Sequence, residues 1–276
     1  MRVIKQFFDF YLNSSVHVAL AVYAMSFITL KRFNILYDEN ILYFIFYATI
    51  TAYNFVKYFG IAKFHHRSLT QSLKAIQIFS FICFAFLCYY ALQLPFKSLI
   101  YILVFGVITF LYAFPFIPKD FYLDNQQNLR DVSGIKVYII AFVWTGVTVF
   151  LPLINNEFTF NADVFITAFQ YFIFVIVLML PFEIRDLKYD SLKLATIPQR
   201  IGVKLTKLFG LLFLMVFFFA EFFKDELSNC NITSSSIITF ITAIFLVFTN
   251  KKRNRYYSSF WVESIPIFWL IIVLLC

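Results

Sequence analysis

Residues 168–202 read "AFQYFIFVIVLMLPFEIRDLKYDSLKLATIPQRIG". No charge occurs from Ala168 to Leu180, and then Glu183, Arg185, Asp186, Lys188 and Asp190 follow in close succession. A hydrocarbon run that ends in charges reads as a helix crossing a bilayer and meeting its polar face. At about 100° per residue, positions 183, 186 and 190 fall on one stripe, with Arg185 and Lys188 on roughly the opposite side. Carboxylates facing one way repel each other unless a cation sits between them. Two readings stand at this point. One is a solvated helix end; the other is a seat for a hard divalent cation such as magnesium, which takes one or two carboxylates plus substrate phosphates.

Working outward, the rest of the chain points to the same fold class. It is 276 residues long, 62% hydrophobic and 14% charged, with mean hydropathy +0.81. A water-soluble domain of that size has to present a polar outside, which this composition cannot supply. Apolar segments lie at about 12–30, 41–59, 76–94, 98–117, 136–154, 163–182, 205–223, 234–250 and 259–275, each near the ~20 residues needed to span a bilayer. The prediction is an all-α integral membrane protein, one polytopic domain over 1–276 with nine transmembrane helices. The N-terminal stretch "MRVIKQFFDFYLNSSVHVALAVYAMSF" has no compact apolar core followed by a small-x-small cleavage site, so it reads as a retained first helix. Cys83, Cys88, Cys230 and Cys276 form no CxxC pair and read as small hydrophobes.

Charge sets an expected orientation. Placing the N-terminus in the cytoplasm puts only Lys31, Arg32, Lys97 and Lys224 outside, leaving 19 of the 23 Lys and Arg inside, as the positive-inside rule requires. The C-terminus is then outside, in what is expected to be a bacterial cytoplasmic membrane. The net charge of +8 reflects this asymmetry and argues for no nucleic-acid partner. The three longest connections, 60–75, 118–135 and 183–204, share the cytoplasmic side, so chemistry is expected there.

The stretch "LPFEIRDLKYDSLKLATIPQRIG" (180–202) resembles the second aspartate-rich motif of the UbiA-type intramembrane prenyltransferase superfamily, an acidic triplet preceding Thr-x-Pro and a Gly. "FLYAFPF" (110–116) is similar to that family's Tyr-Ser-x-Pro stretch after the fourth helix. "LRDVSGIKVYIIAFVWTGVTVFLP" (129–152) is similar to its following connection and fifth helix. The resemblance implies a nine-helix bundle around a central cavity that opens to the cytoplasmic side. It also implies an activity: moving an isoprenoid group from a prenyl diphosphate to an aromatic or other lipophilic acceptor. Carried onto this chain, Glu183, Asp186 and Asp190 hold one magnesium ion, with Asp186 and Asp190 as the catalytic pair. Metals ease departure of the diphosphate, and aromatic faces shelter the carbocation.

The first aspartate motif of the family, Asn-Asp-x-x-Asp-x-x-x-Asp, is matched here by "ITAYNFVKYFGIAKFHH" (50–66). Asn54 is kept, while Phe55, Tyr58 and Ala62 occupy the three Asp positions, so a second magnesium site lacks its ligands. The diphosphate is then expected to meet Asn54, Lys57, Lys63, Arg67, Arg185, Lys188 and Lys193, with Lys57 in the place of a metal ion. Tyr58, Tyr112 and Trp144 are the expected prenyl or acceptor contacts. Glu221 in "FFFAEFFKDE" and Glu263 in "FWVESIP" read as interfacial charges, and His65, His66, Asp124 and Arg130 as loop residues. The alternative function is a catalytically inactive UbiA-like protein that binds a lipid diphosphate or serves as a membrane-complex subunit. A transporter fits less well, because the clear charges sit at helix ends. A CDP-alcohol phosphatidyltransferase needs an Asp-Gly signature that the sequence lacks.

Overall fold

A computed structural model describes residues 2–64, 71–113, 134–188 and 195–276. The described residues are helical throughout, with no strand among them. In chain order the helices are α1 (Arg2–Asn13), α2 (Val16–Arg32), α3 (Glu39–Phe64), α4 (Gln71–Ala91), α5 (Phe96–Ala113), α6 (Lys136–Thr145), α7 (Leu151–Asn155), α8 (Ala162–Asp186), α9 (Ile197–Phe219), α10 (Asn229–Phe248) and α11 (Ile265–Leu275). A wide π turn at Gly146–Phe150 joins α6 to α7 as one rod, and another at Tyr257–Val262 leads into α11. Six helices are long and apolar enough to cross a membrane, or seven when the bent pair α1–α2 counts as one. The protein is an integral, multi-pass membrane protein.

The bundle has a centre and a rim. In α8, 72% of the most apolar window is buried against other helices, while the figure for α4 is 11%. Helix α8 is therefore the axial helix and α4 turns most of its surface outward, where exposed Ile78, Phe81, Phe84 and Phe86 suit lipid. Asn161 starts α8 by accepting the Val164 N–H at 3.1 Å, which satisfies one of the free amide groups of the first turn. Close approach is secured at Gly146, where any Cβ would run into the Phe105 ring of α5. Tyr171, Phe174, Phe217 and Trp269 stack together where α8, α9 and α11 meet.

Two sequence expectations change. The first apolar segment, expected as one helix from about 12, is two helices bent by 55° at Ser14 and Ser15. Ser15 adopts a left-handed backbone (φ 63°), and side chains of other helices hold the corner open. In addition, α8 ends at Asp186 with Leu187 as its cap. The shared acidic stripe within α8 thus comprises Glu183 and Asp186 alone. Asp190 lies outside the described residues.

Candidate functional site

The acid-bearing end of α8 meets the start of α9. Glu183 is buried (4% exposed), and one of its carboxylate oxygens accepts the Ile197 N–H at 3.3 Å. A carboxylate is favoured there by the partial positive charge at a helix N-terminus. Thr196 begins α9, its N–H donating to Gln199 Oε1 at 3.0 Å, and Pro198 supplies the preset φ of a first turn. Gly202 then kinks α9 with φ +77° and ψ 162°, a conformation that L side chains rarely adopt.

Arg185 is not turned away from the acids as its helical position suggested. Its guanidinium clamps Asp186, Nε to Oδ1 at 2.6 Å and Nη2 to Oδ2 at 2.9 Å. Nη1 donates to Ser258 Oγ at 2.7 Å and to Ser259 Oγ at 3.1 Å in the turn before α11. This is possible because α8 stops at Asp186, leaving the adjacent side chains free to converge. Lys188 is exposed in the turn that follows.

Hydrogen bonds tie the stretch of α3 that replaces the first aspartate motif to the α1–α2 corner. Asn54 accepts from Ser15 Oγ at 2.7 Å and donates to Ser14 O at 3.0 Å and Ser80 Oγ at 2.7 Å. Lys57 Nζ donates to Ser15 Oγ at 2.8 Å, and the Tyr58 hydroxyl to Asn13 O at 2.9 Å. Asn54 and Tyr58 thus hold the corner. The Tyr53 hydroxyl accepts from Trp144 Nε1 at 2.8 Å, and Tyr112 is buried. Of the other expected contacts, the Lys63 side chain, Arg67 and Lys193 lie outside the described residues, as do His65, His66, Asp124 and Arg130.

The structure adds Glu263, which sequence context had assigned to the interface. It follows the π turn, and its carboxylate lies within electrostatic reach of Lys57 and Arg185. Tyr11 and Tyr53 feel the same carboxylate. Tyr53 and Glu263 are half-buried and Lys57 is exposed. Among the described residues no three His, Cys, Asp or Glu converge on a metal position. A mostly apolar recess of about 390 Å³ lies against α1, between Ile4, Lys5, Phe8 and Tyr256, and holds none of these carboxylates. Beside it the Tyr256 hydroxyl donates to Asp9 Oδ1 at 2.6 Å; that bond first, and burial next, push the phenol's pKa up.

Comparison with known proteins bears on the fold. The structure of a UbiA homolog from Aeropyrum pernix K1 superposes with a TM-score of 0.62 at 13% identity, over 96% of this chain and 97% of the other. This protein has a UbiA-like fold. A structure described for digeranylgeranylglyceryl phosphate synthase in membranes superposes with a TM-score of 0.57 at 15% identity, over 100% of this chain and 97% of that one. No protein-family model and no curated protein sequence matches the chain.

A second charged cluster in this UbiA-like bundle surrounds Glu221, the other acid that interrupts an apolar run near a helix end. Glu221 is 1% exposed, enclosed by protein rather than open to solvent. It accepts from Arg32 Nη1 at 3.1 Å, Lys224 Nζ at 3.2 Å, Gln170 Nε2 at 2.9 Å and Ser235 Oγ at 3.4 Å. The Arg32 guanidinium also lies 5.1 Å over the Trp269 ring. Three helices and two helix ends are joined there, and both cations are nearly sealed from solvent.

Proposed function

We propose that this protein is a membrane-embedded prenyltransferase, moving an isoprenoid group from a prenyl diphosphate to an aromatic or other lipophilic acceptor with magnesium assistance. The observation that carries the reading is the whole-length fold likeness to a UbiA homolog and to digeranylgeranylglyceryl phosphate synthase. Local chemistry supports it. The charged end of α8 is joined to the turn before α11 by the bonds from Arg185 to Ser258 and Ser259, which brings donors and carboxylates together as a site for a diphosphate requires.

The donor set fits a hard divalent cation. Glu183 and Asp186 are oxygen donors on adjacent turns of α8, Asp190 is a third donor in the sequence, and phosphate oxygens complete such a shell. Magnesium held there supplies charge that stabilises the departing diphosphate. Asp186, clamped by Arg185, would hold such an ion through its carboxylate, and the Arg185 guanidinium would serve a phosphate oxygen. Lys57 stands within the stretch that replaces the family's first aspartate motif, between Phe55 and Tyr58 at two of the lost Asp positions, and supplies a fixed positive charge in place of a second ion. Tyr53, Tyr112 and Trp144 supply aromatic faces for the prenyl chain and its developing cation. Electrons of the broken carbon–oxygen bond leave with the diphosphate, and the acceptor's pair forms the new bond.

The bundle is read as nine crossings, α3 and α5 joining the seven that pass on length and hydropathy. The N-terminus is read as cytoplasmic, with the charged end of α8 at that face. Two of the four cations on the opposite side, Arg32 and Lys224, are there to pair Glu221, so the asymmetry among unpaired cations is steeper than the raw count. A second reading, a diphosphate binder without turnover, is favoured by Phe55 and Tyr58 at two of the lost Asp positions.

The test is binding of a radiolabelled prenyl diphosphate to the purified protein with and without magnesium, for wild type and Asp186→Asn. Magnesium-dependent binding, weakened about tenfold or more in the variant, is expected. Binding indifferent to both magnesium and Asp186 overturns the reading. Release of diphosphate then separates the transferase from the silent binder.

A further inference from the structure

We propose that Ser258 and Ser259, in the turn before α11, are positioning residues of the diphosphate site. Their hydroxyls hold the Arg185 guanidinium so that it presents an N–H to a phosphate oxygen. The inference rests on the proposed function and adds to it a segment outside both acidic motifs.

A guanidinium carries five N–H donors in one rigid plane. On Arg185, Nε and one Nη2 hydrogen are directed at the two Asp186 oxygens, at 2.6 and 2.9 Å. Nη1 donates its two hydrogens to Ser258 Oγ at 2.7 Å and Ser259 Oγ at 3.1 Å. The guanidinium also lies 5.3 Å over the Phe182 ring, which covers one face of the plane. Among the described residues, the second Nη2 hydrogen is the donor left over, on a side chain that is 21% exposed. One donor of fixed direction therefore remains on a cation that keeps contact with solvent.

Hydroxyls suit the task of holding it. Ser258 Oγ donates its own proton to the Arg255 carbonyl at 3.3 Å, so its lone pairs are turned to the guanidinium. A hydroxyl brings no charge, and the positive charge of Arg185 stays available to an anion. A carboxylate at either serine position would compete with the phosphate instead. Asp186 alone fixes one edge of the guanidinium; the serines fix the other end.

The turn that carries the serines is itself braced. It is a π turn, a wide geometry frequent at functional sites, and Ser258 within it is 1% exposed. On one side the Tyr257 hydroxyl donates to the Phe245 carbonyl of α10 at 2.6 Å. On the other, His17 Nε2 of α2 lies 2.9 Å from the Phe260 carbonyl, and the two rings stack at 4.9 Å. Ser264 Oγ lies 3.1 Å from the same His17 nitrogen. Helices α2 and α10 thus fix the turn, and the turn fixes Arg185. Little is left to be ordered when an anion arrives.

Two roles for the serines differ in what their loss does. Serines that only join α8 to this turn affect stability, and removing them leaves prenyl diphosphate binding unchanged in folded protein. Positioning serines act through Arg185, so removing them weakens binding only while Arg185 is present.

The experiment measures binding of labelled geranylgeranyl diphosphate to the purified full-length protein in lipid nanodiscs with magnesium, thermal unfolding reporting folding. Ser258→Ala, Ser259→Ala, their double variant, Ser259→Thr and Ser264→Ala are compared with wild type, and the alanine variants are repeated in an Arg185→Met background. Binding about tenfold weaker is expected in the double alanine variant, with part of the loss in each single one. Ser259→Thr keeps the hydroxyl and is expected to bind like wild type. So is Ser264→Ala, whose hydroxyl meets His17 and not Arg185. In the Arg185→Met background, removing the serines costs nothing further. If the double variant does not fold, the single ones decide. Wild-type affinity in the folded alanine variants, or the same loss without Arg185, overturns the inference, while Asp186-dependent binding by wild type leaves the transferase reading intact. Absence of any wild-type binding overturns both.

Discussion

Glu221 and Glu263 each interrupt an apolar run near a helix end, in "FFFAEFFKDE" and "FWVESIP". Glu221 is enclosed by Arg32, Lys224, Gln170 and Ser235, and its partners are sealed with it. Glu263 is half-buried, and the cations that it feels make their hydrogen bonds elsewhere. The first arrangement is what stability asks of a buried charge, because the Glu221 carboxylate has two counter-charges and four hydrogen-bond donors at hand. The second leaves charge accessible at a depth where accessibility is costly, and such charge is worth keeping for a ligand. Accessibility and pairing separate a structural acid from a functional one more sharply than position along the helix does.

That contrast breaks if substitutions in the sealed cluster leave stability alone. Glu221→Ala strands Arg32 and Lys224 together in the bundle, and a loss of about 3–5 kcal/mol is expected. It would be seen as a large fall in thermal unfolding midpoint or in recoverable folded protein. Asn54→Ala comes next. It removes three bonds that hold the α1–α2 corner and is expected to cost about 1–3 kcal/mol, with faster hydrogen exchange around Ser14 and Ser15. Gly202→Ala forces a side chain into a glycine backbone conformation at the kink of α9, costing about 1–3 kcal/mol by the same unfolding assay. The smallest stability effect belongs to the open site. Asp186→Asn loosens an ion pair that is about a quarter exposed, so its unfolding midpoint should stay within the span of about 0.5 kcal/mol typical of exposed pairs. Loss of prenyl diphosphate binding in that stable variant would sharpen the contrast; unfolding would erase it.

The sequence made the fold class plain because lipid is an unforgiving solvent. A chain with so few charges and such long apolar runs has no alternative to spanning helices, and helix-end acids are visible wherever hydrocarbon stops. The break at Ser14–Ser15 was not legible, since "LNSSVH" contains neither Pro nor Gly and its bend is held by Asn54 from another helix. The pairing of Arg185 with Asp186 was hidden for a related reason. Helical projection sets neighbouring side chains about 100° apart, and only the stop of α8 at Asp186 lets them meet.

What the sequence determined by itself is whatever depends on neighbours along the chain: membrane insertion, helical structure, and the clustering of Glu183, Arg185 and Asp186 at one helix end. The tertiary structure decided what depends on neighbours in space. It set Glu221 between two cations, tied Asn54 to a corner 40 residues upstream, and joined Arg185 to Ser258 and Ser259 before α11. Apolar periodicity encodes which solvent a segment meets, but a charge's role is fixed by the charges opposite it, and those arrive from distant parts of the chain.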